Sequence, residues 1–242
     1  MLTRYLPVFI ILSLLAEIFG TVGGFGSSVF FVPVANFFLD FQSVLGITAL
    51  FHLSSNVTKI AFFRKGIDKE VILQLGVPAV IFVIIGGFLS KYLDPTLLTY
   101  ILGIFLIVLS LVFIIFKKLL VKPTPKNAFT GGVLSGLSAG ILGTGGAIRG
   151  ITLAAFKMSK EKFIATSAVI DLGVDFSRTI VYYLNGYMRK DLLYLIPILI
   201  VVSILGTWIG KQILNKMSQE QFRYIVLILI LGIGIASIIN VQ

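Results

Sequence analysis

Two stretches decide how this chain folds: Gly20-Thr21-Val22-Gly23-Gly24-Phe25-Gly26-Ser27-Ser28 and Gly140-Ile141-Leu142-Gly143-Thr144-Gly145-Gly146-Ala147-Ile148-Arg149-Gly150. Each interrupts an apolar run with residues that end or bend a helix. The second lies 120 residues after the first, and the register extends well past the glycines. Gly20, Gly23, Gly26, Gly66 and Gly86 stand opposite Gly140, Gly143, Gly146, Gly186 and Gly206, and Lys91 stands opposite Lys211. Chance similarity between two apolar sequences would drift, so one folding unit is used twice. The expected organisation is repeat 1 over about 1–116, a basic linker 117–127 and repeat 2 over about 128–242, in a single integral domain.

Composition identifies the solvent. Apolar residues make up 57% of the 242, charged residues only 12%, and mean hydropathy is +1.06. A soluble protein of this size would need a larger charged shell. The net charge of +10 would suggest nucleic acid in a soluble chain. In a multi-pass membrane protein the same Lys and Arg sit in short loops, set orientation and meet anionic lipid, so no nucleic-acid partner is expected. Cysteine is absent and there is one His, which excludes disulfides, thiol catalysis and a zinc site. No metal or cofactor is expected. The first apolar run follows Arg4, but no small-x-small cleavage pattern follows it, and it matches its counterpart at the 120-residue offset. It is read as part of the fold and not as a signal peptide.

Apolar runs occur at about 5–19, 27–39, 43–63, 71–90 and 97–116, then at 128–142, 147–156, 163–184, 192–210 and 222–240. A spanning helix needs about 20 residues. The first two runs of each half are short and meet at glycines, as a re-entrant hairpin or two short tilted helices; the other three cross. Loops 64–70, 117–126, 157–162 and 211–223 then share one face and hold thirteen Lys and Arg, against four on the other face. If each glycine-broken pair crossed only once, the split would be ten against seven. The first arrangement obeys the positive-inside bias better. It makes the repeats inverted, puts the basic loops in the cytoplasm and places both termini outside it. The fold class is therefore an all-α polytopic membrane protein with two homologous halves. Such doubled folds with interrupted helices are typical of secondary transporters.

Within hydrocarbon, irregular backbone survives only when buried in protein or lining a cavity. Where the chain re-enters a helix, its free N–H groups and the positive end of the dipole favour an anion. Gly24, Ser27 and Ser28 of the first break and Gly145 and Gly146 of the second are candidate ligands. Arg149 follows immediately, and a bidentate oxygen pair is its natural partner.

Paired glycine-rich breaks, polar-marked third helices and a basic linker resemble the sulfite exporter TauE/SafE family. The carriers are Gly23-Gly24-Phe25-Gly26-Ser27-Ser28 with Pro33, Gly143-Thr144-Gly145-Gly146-Ala147, and Ala165-Thr166-Ser167-Ala168 with Tyr182-Tyr183-Leu184-Asn185-Gly186. The resemblance covers essentially the whole chain. It departs at Phe25, which interrupts the first glycine run, and at Leu153, which stands where a proline is expected opposite Pro33. It implies export or uptake of small anions, with sulfite, sulfoacetate and related organosulfur compounds as cargo.

The third run of the first half carries His52, Ser55, Asn56 and Lys59 on one helical face, and its counterpart carries Ser167, Asp171, Asp175 and Arg178. Ionisable residues at membrane depth are functional candidates. Lys59, Arg149 and Arg178 are expected to hold a small anion, with Ser27, Ser28, Asn56 and Ser167 donating hydrogen bonds. Asp171 and Asp175, one turn apart, are candidates for proton coupling with His52 as partner. A buried structural pair between Arg178 and either aspartate is the competing reading, and Glu17 stands alone in the first run. The halves agree on scaffold and differ in polar chemistry, which suggests one asymmetric site. The expected function is a secondary transporter for a small anion working by alternating access. A channel or a cation carrier using the same charges is the rival. No enzyme is expected: Asp171 and Asp175 share one helix, and no HExxH occurs.

Overall fold

The computed structural model describes residues 2–23, 26–63, 66–116, 121–214, 216 and 219–239. Gly24, Phe25, Arg64, Lys65, Lys117 and Lys118 lie outside the described residues, as do the side chains of Arg4 and Arg223. Among the described residues the chain forms ten helices and no strand: α1 (Leu2–Gly23), α2 (Ser28–Asn36), α3 (Phe41–Phe62), α4 (Lys69–Tyr92), α5 (Pro95–Ile115), α6 (Pro125–Leu142), α7 (Gly146–Ala154), α8 (Lys160–Leu184), α9 (Leu195–Leu214) and α10 (Gln219–Ile239). Of these, α1, α4, α5 and α9 are long and apolar enough to cross a membrane. Helices α3 and α8 have 22 and 25 residues, enough to cross, but each carries a polar face. Helices α2 and α7 have nine residues each; at 1.5 Å per residue they reach about 14 Å, half a hydrocarbon core.

Local chemistry sets the helix starts. Asp40, Asp68, Asp94, Thr124 and Ser159 each accept a backbone N–H from the first turn of α3, α4, α5, α6 and α8. Pro95 and Pro125 occupy first-turn positions where the missing N–H costs nothing.

The packing pattern changes little when each helix is exchanged for the one five places along. Helix α1 packs on α9 and α6 on α4; α3 packs on α8 and α5 on α10; α3 also meets α9 as α8 meets α4. Directions follow from the contacts. Asp68 and Gly66, just past α3, meet Lys162 at the start of α8. Mid-helix Asn56 meets Asp175, and Gly46 near the start of α3 packs on Tyr187, just past α8. Helices α3 and α8 therefore run antiparallel along their whole lengths. Helix α6 runs parallel to α4: Gly132 lies against Leu75 and Pro78, Gly136 against Ala79, and Gly140 against Val83 and Gly87. A Cβ at any of the three would run into α4, so a run of missing side chains is what brings these backbones together.

Apolar side chains cover the outside as well as the core. Val8, Ile11 and Leu15 on α1, Ile104, Val108 and Leu111 on α5, and Val201, Ile204 and Leu205 on α9 are all exposed at helical spacing. In water this surface would associate; in hydrocarbon it is the solvated face.

Candidate functional site

The two breaks meet inside the bundle. After α1 the chain turns through Gly26, at φ +80°, into α2; after α6 it turns through Gly143, at φ +74°, into α7. Both angles lie in the left-handed region that glycine adopts without a Cβ penalty. A Cβ on Gly20 would collide with the backbone of Ser27, so the first hairpin closes at its neck because Gly20 has none. Ser27 then sits beside His52, midway along α3 (Oγ to Nε2, 3.2 Å). The Thr144 hydroxyl of the second break donates to Ser28 Oγ of the first at 3.3 Å.

Around this meeting point the buried ionisable groups form three pairs. Lys59 Nζ lies 2.9 Å from Glu17 Oε1, Arg149 Nη2 lies 2.5 Å from Asp171 Oδ1, and Arg178 Nη2 lies 2.7 Å from Asp175 Oδ1. Each cation expected to face an anion as a free charge therefore already has a carboxylate. The physical reason is the desolvation cost of an unpaired ion, which a partner within hydrogen-bond reach offsets.

Hydrogen bonds brace each pair. Asn56 Nδ2 donates to Asp175 Oδ2 at 2.5 Å, and Lys59 Nζ donates to Ser55 Oγ at 2.6 Å. Arg149 also reaches Ser167 Oγ at 3.3 Å. His52 Nδ1 lies 4.0 Å from Asp175, within ion-pair range and beyond a hydrogen bond.

Arg178 has a second task. Its Nη1 donates to the Gly143 carbonyl at 2.7 Å, while the Tyr182 hydroxyl donates to the carbonyls of Gly140 and Ala139. The Gly140 and Gly143 carbonyls lie at the broken end of α6, while Ala139 already accepts the Gly143 N–H, and a cation there also meets the negative end of the helix dipole. Its Nε has no partner among the described residues. The geometry gives Arg178 a cap-and-pair role beside whatever it does for cargo.

A small cleft lies against the first break. Its walls are Gly20, Thr21, Gly26, Lys59, Ile164, Ser167, Ala168 and Asp171. Lys59 and Ser167 from the expected anion set reach it, and Asp171 from the expected proton set. Gly26 bridges the cleft to Arg149, whose Nη2 would lie 3.8 Å from a Cβ there. Ser28, Asn56, Gly146, Arg178, His52 and Asp175 are buried and do not form this wall. Gly145 packs so tightly on Ser135 that a Cβ would overlap its carbonyl oxygen, so its task is close packing. Gly24 lies outside the described residues.

Glu17, which stands alone in the first run, was given no role from sequence. It is fully buried, one turn before the break, and it is the centre of the first network. A lone carboxylate in an apolar run was the available signal; Thr207, 190 residues along the chain, gave none.

The whole chain is similar to known membrane proteins. The family model for the sulfite exporter TauE/SafE matches residues 9–237, nearly the entire length. The chain belongs to the sulfite exporter TauE/SafE family. A protein of Methanocaldococcus jannaschii described as a probable membrane transporter is 26% identical over 252 aligned positions, covering 94% of this chain and 93% of that protein. No solved structure matches the chain. This TauE/SafE protein is a multi-pass membrane transporter, not an enzyme.

Proposed function

We propose that this TauE/SafE protein is a secondary carrier for a small anion, with sulfite, an organosulfonate or a short carboxylate as the cargo class. The observation that carries the reading is the meeting of both helix breaks beside a cleft walled by Lys59, Ser167 and Asp171. Two more buried cations, Arg149 and Arg178, are each paired with an aspartate of α8. The cargo enters the cleft, shares Lys59 and the Arg149–Asp171 pair, and is passed on when the bundle rearranges.

Alternating access in this reading comes from two repeats, about 1–116 and 128–242, joined by the linker 117–127. The antiparallel α3–α8 seam supports an inverted relation, because equivalent helices of parallel repeats would run the same way. The basic loops 64–70, 117–126, 157–162 and 211–223 are assigned to the cytoplasm and both termini to the other side. The cleft residues of α8, Ile164 to Asp171, lie in the half of that helix nearer loop 157–162, so this conformation offers the site to the cytoplasm. Proton coupling through His52, Asp171 and Asp175 belongs to the same proposal.

The test is counterflow into proteoliposomes preloaded with sulfite, sulfoacetate or acetate. Saturable exchange that Arg149→Ala abolishes supports an anion carrier. Three buried carboxylates balance the three cations, which favours a cation carrier as the second reading. Exchange of a monovalent cation with no anion dependence would replace the first reading by the second, and unitary currents would indicate a channel.

A further inference from the structure

Glu17 receives more donors than one buried ion pair requires. Its Oε1 accepts from Lys59 Nζ at 2.9 Å, Ser55 Oγ at 2.6 Å, Thr207 Oγ1 at 3.0 Å and Thr21 Oγ1 at 3.3 Å, and its Oε2 accepts from Ser27 Oγ at 2.6 Å. One ammonium and four hydroxyls, drawn from α1, the first break, α3 and α9, converge on two oxygens. Several other buried helical hydroxyls bond a carbonyl of their own helix: Ser13 to Phe9, Thr48 to Val44, Ser110 to Leu106. That is the default for Ser and Thr in a helix. Ser55 and Thr207 turn instead towards the Glu17 carboxylate.

The cradle adjoins the cleft. Lys59 and Thr21 belong to both, and Gly20 and Gly26 complete the shared wall. On the opposite side Gly206 leaves room for the Glu17 stem: a Cβ there would lie 2.7 Å from Glu17 Cβ and Cγ. The carboxylate is thus pressed from α9 into a nest of donors, two of which, Lys59 and Thr21, also line the cleft. A carboxylate, a sulfonate and sulfite present the same thing to such a nest, two or three oxygens on one centre.

We propose that Glu17 is a tethered stand-in for the cargo: its carboxylate occupies the anion's own cradle, and an incoming anion takes that place as Glu17 accepts a proton. This rests on the anion-carrier reading and deepens it, with Glu17 taking the coupled proton in place of His52, Asp171 and Asp175. Two anions cannot share one ammonium at about 3–4 Å from each other in a weakly polarisable interior without strong repulsion. A proton on Glu17 removes the competitor. Binding of anion and of proton then help each other by the same factor. The other charged groups near Glu17 keep their own partners: Asp171 has Arg149, Asp175 has Arg178, and Lys211 of α9 donates to the Phe62 carbonyl. His52 reaches Glu17 through Ser27 and is the competing proton acceptor.

The experiment is calorimetric titration of the full chain in lipid nanodiscs with sulfite, sulfoacetate and acetate. It is run between pH 6 and 8 in two buffers of different ionisation enthalpy, and sulfoacetate, charged throughout that range, reads the proton count. The unmutated protein is expected to take up close to one proton per anion, with affinity falling about tenfold per pH unit. Glu17→Gln is expected to bind with no proton uptake and little pH dependence, and about tenfold or more tightly at the upper pH. Adding Ser55→Ala and Thr207→Val in the same chain removes that gain, whereas a long-range charge effect would keep it. On the unmutated protein, whether or not Glu17→Gln folds, adding sulfoacetate brings up a protonated-carboxyl infrared band that survives in Asp171→Asn and Asp175→Asn. Wild-type affinity and proton uptake in Glu17→Gln, proton uptake lost in His52→Gln alone, or no infrared band overturns the proposal while the anion-carrier reading stands. If no anion binds either the wild type or Glu17→Gln, both fall together.

Discussion

Arg178 holds the broken end of α6 through Gly143: its Nη1 donates to that carbonyl at 2.7 Å, while its Nη2 pairs with Asp175 at 2.7 Å. One guanidinium therefore links a glycine break in one helix to a buried carboxylate in another. The break is irregular backbone inside an apolar bundle, where unpaired carbonyls have no water to turn to.

Removing Arg178 is accordingly expected to damage the fold as well as transport. Arg178→Ala leaves Asp175 charged and unpaired and uncovers the Gly143 carbonyl, a loss on the order of 3–5 kcal/mol. Thermal unfolding in detergent checks this. Arg178→Lys, which keeps the charge and loses the fork, should recover part of the stability.

Arg149 should behave differently. Its partner Asp171 is the most exposed member of the three buried pairs, at 15% of the side chain. Arg149→Ala is expected to fold, judged by a single symmetric gel-filtration peak, and to lose about tenfold or more of anion flux. Flux at the wild-type level in a folded Arg149→Ala protein would remove this residue from the cargo site.

The seam between α4 and α6 offers a packing test. Gly136→Ala puts a Cβ onto the Ala79 backbone, and the forced separation should cost about 1–3 kcal/mol. Gly186→Ala is the useful contrast, since a Cβ there meets nothing within 4 Å. It carries only the cost of its positive φ, +81°. Paired melting curves measure the difference, with Gly136→Ala the more damaging.

At the face holding the α3–α4 connection, Lys162 lies 2.8 Å from Asp68, and this hydrogen bond together with the Val71 amide holds the Asp68 carboxyl below its ordinary value of 3.8. A carboxylate with a lowered native value contributes stability above its unfolded value and loses it as pH falls through the native one. The latch should thus be intact at neutral pH and open only in strong acid, below pH 3.8. Because the pair is partly exposed, Lys162→Met should cost about 0–1 kcal/mol. Melting temperatures at pH 7 and pH 3 for both proteins test the sign: the difference between them shrinks in acid.

Orientation can be read directly because the chain has no cysteine. Single cysteines at Lys122 and Lys190 are expected to label from opposite faces: Lys190→Cys with an impermeant maleimide in intact cells, Lys122→Cys only after lysis. Labelling of both in intact cells would reject the proposed topology.

Much of the architecture was legible in advance because it depends on local and periodic signals. Ten apolar runs became ten helices, and the breaks fell at the glycine clusters because only residues without a Cβ reach positive φ there cheaply. The polar faces of α3 and α8 could be seen because 3.6-residue periodicity puts His52, Ser55, Asn56 and Lys59 on one side. Pairing was not legible. Lys59 was visible as a buried cation, but that its partner is Glu17, 42 positions earlier and in another helix, follows from how α9 packs against both α1 and α3.

By itself, then, the amino-acid order determined the solvent, the helices, the places where they break and the residues able to carry charge at depth, since each rests on composition or short-range periodicity. Only the tertiary structure decided which charge meets which. Buried ions must find partners wherever the packed helices bring them, and helices from distant parts of the chain deliver Thr207 to Glu17 and Asn56 to Asp175. That is why three buried cations became three pairs, and why Glu17, a lone carboxylate in sequence, stands at the centre of one of them.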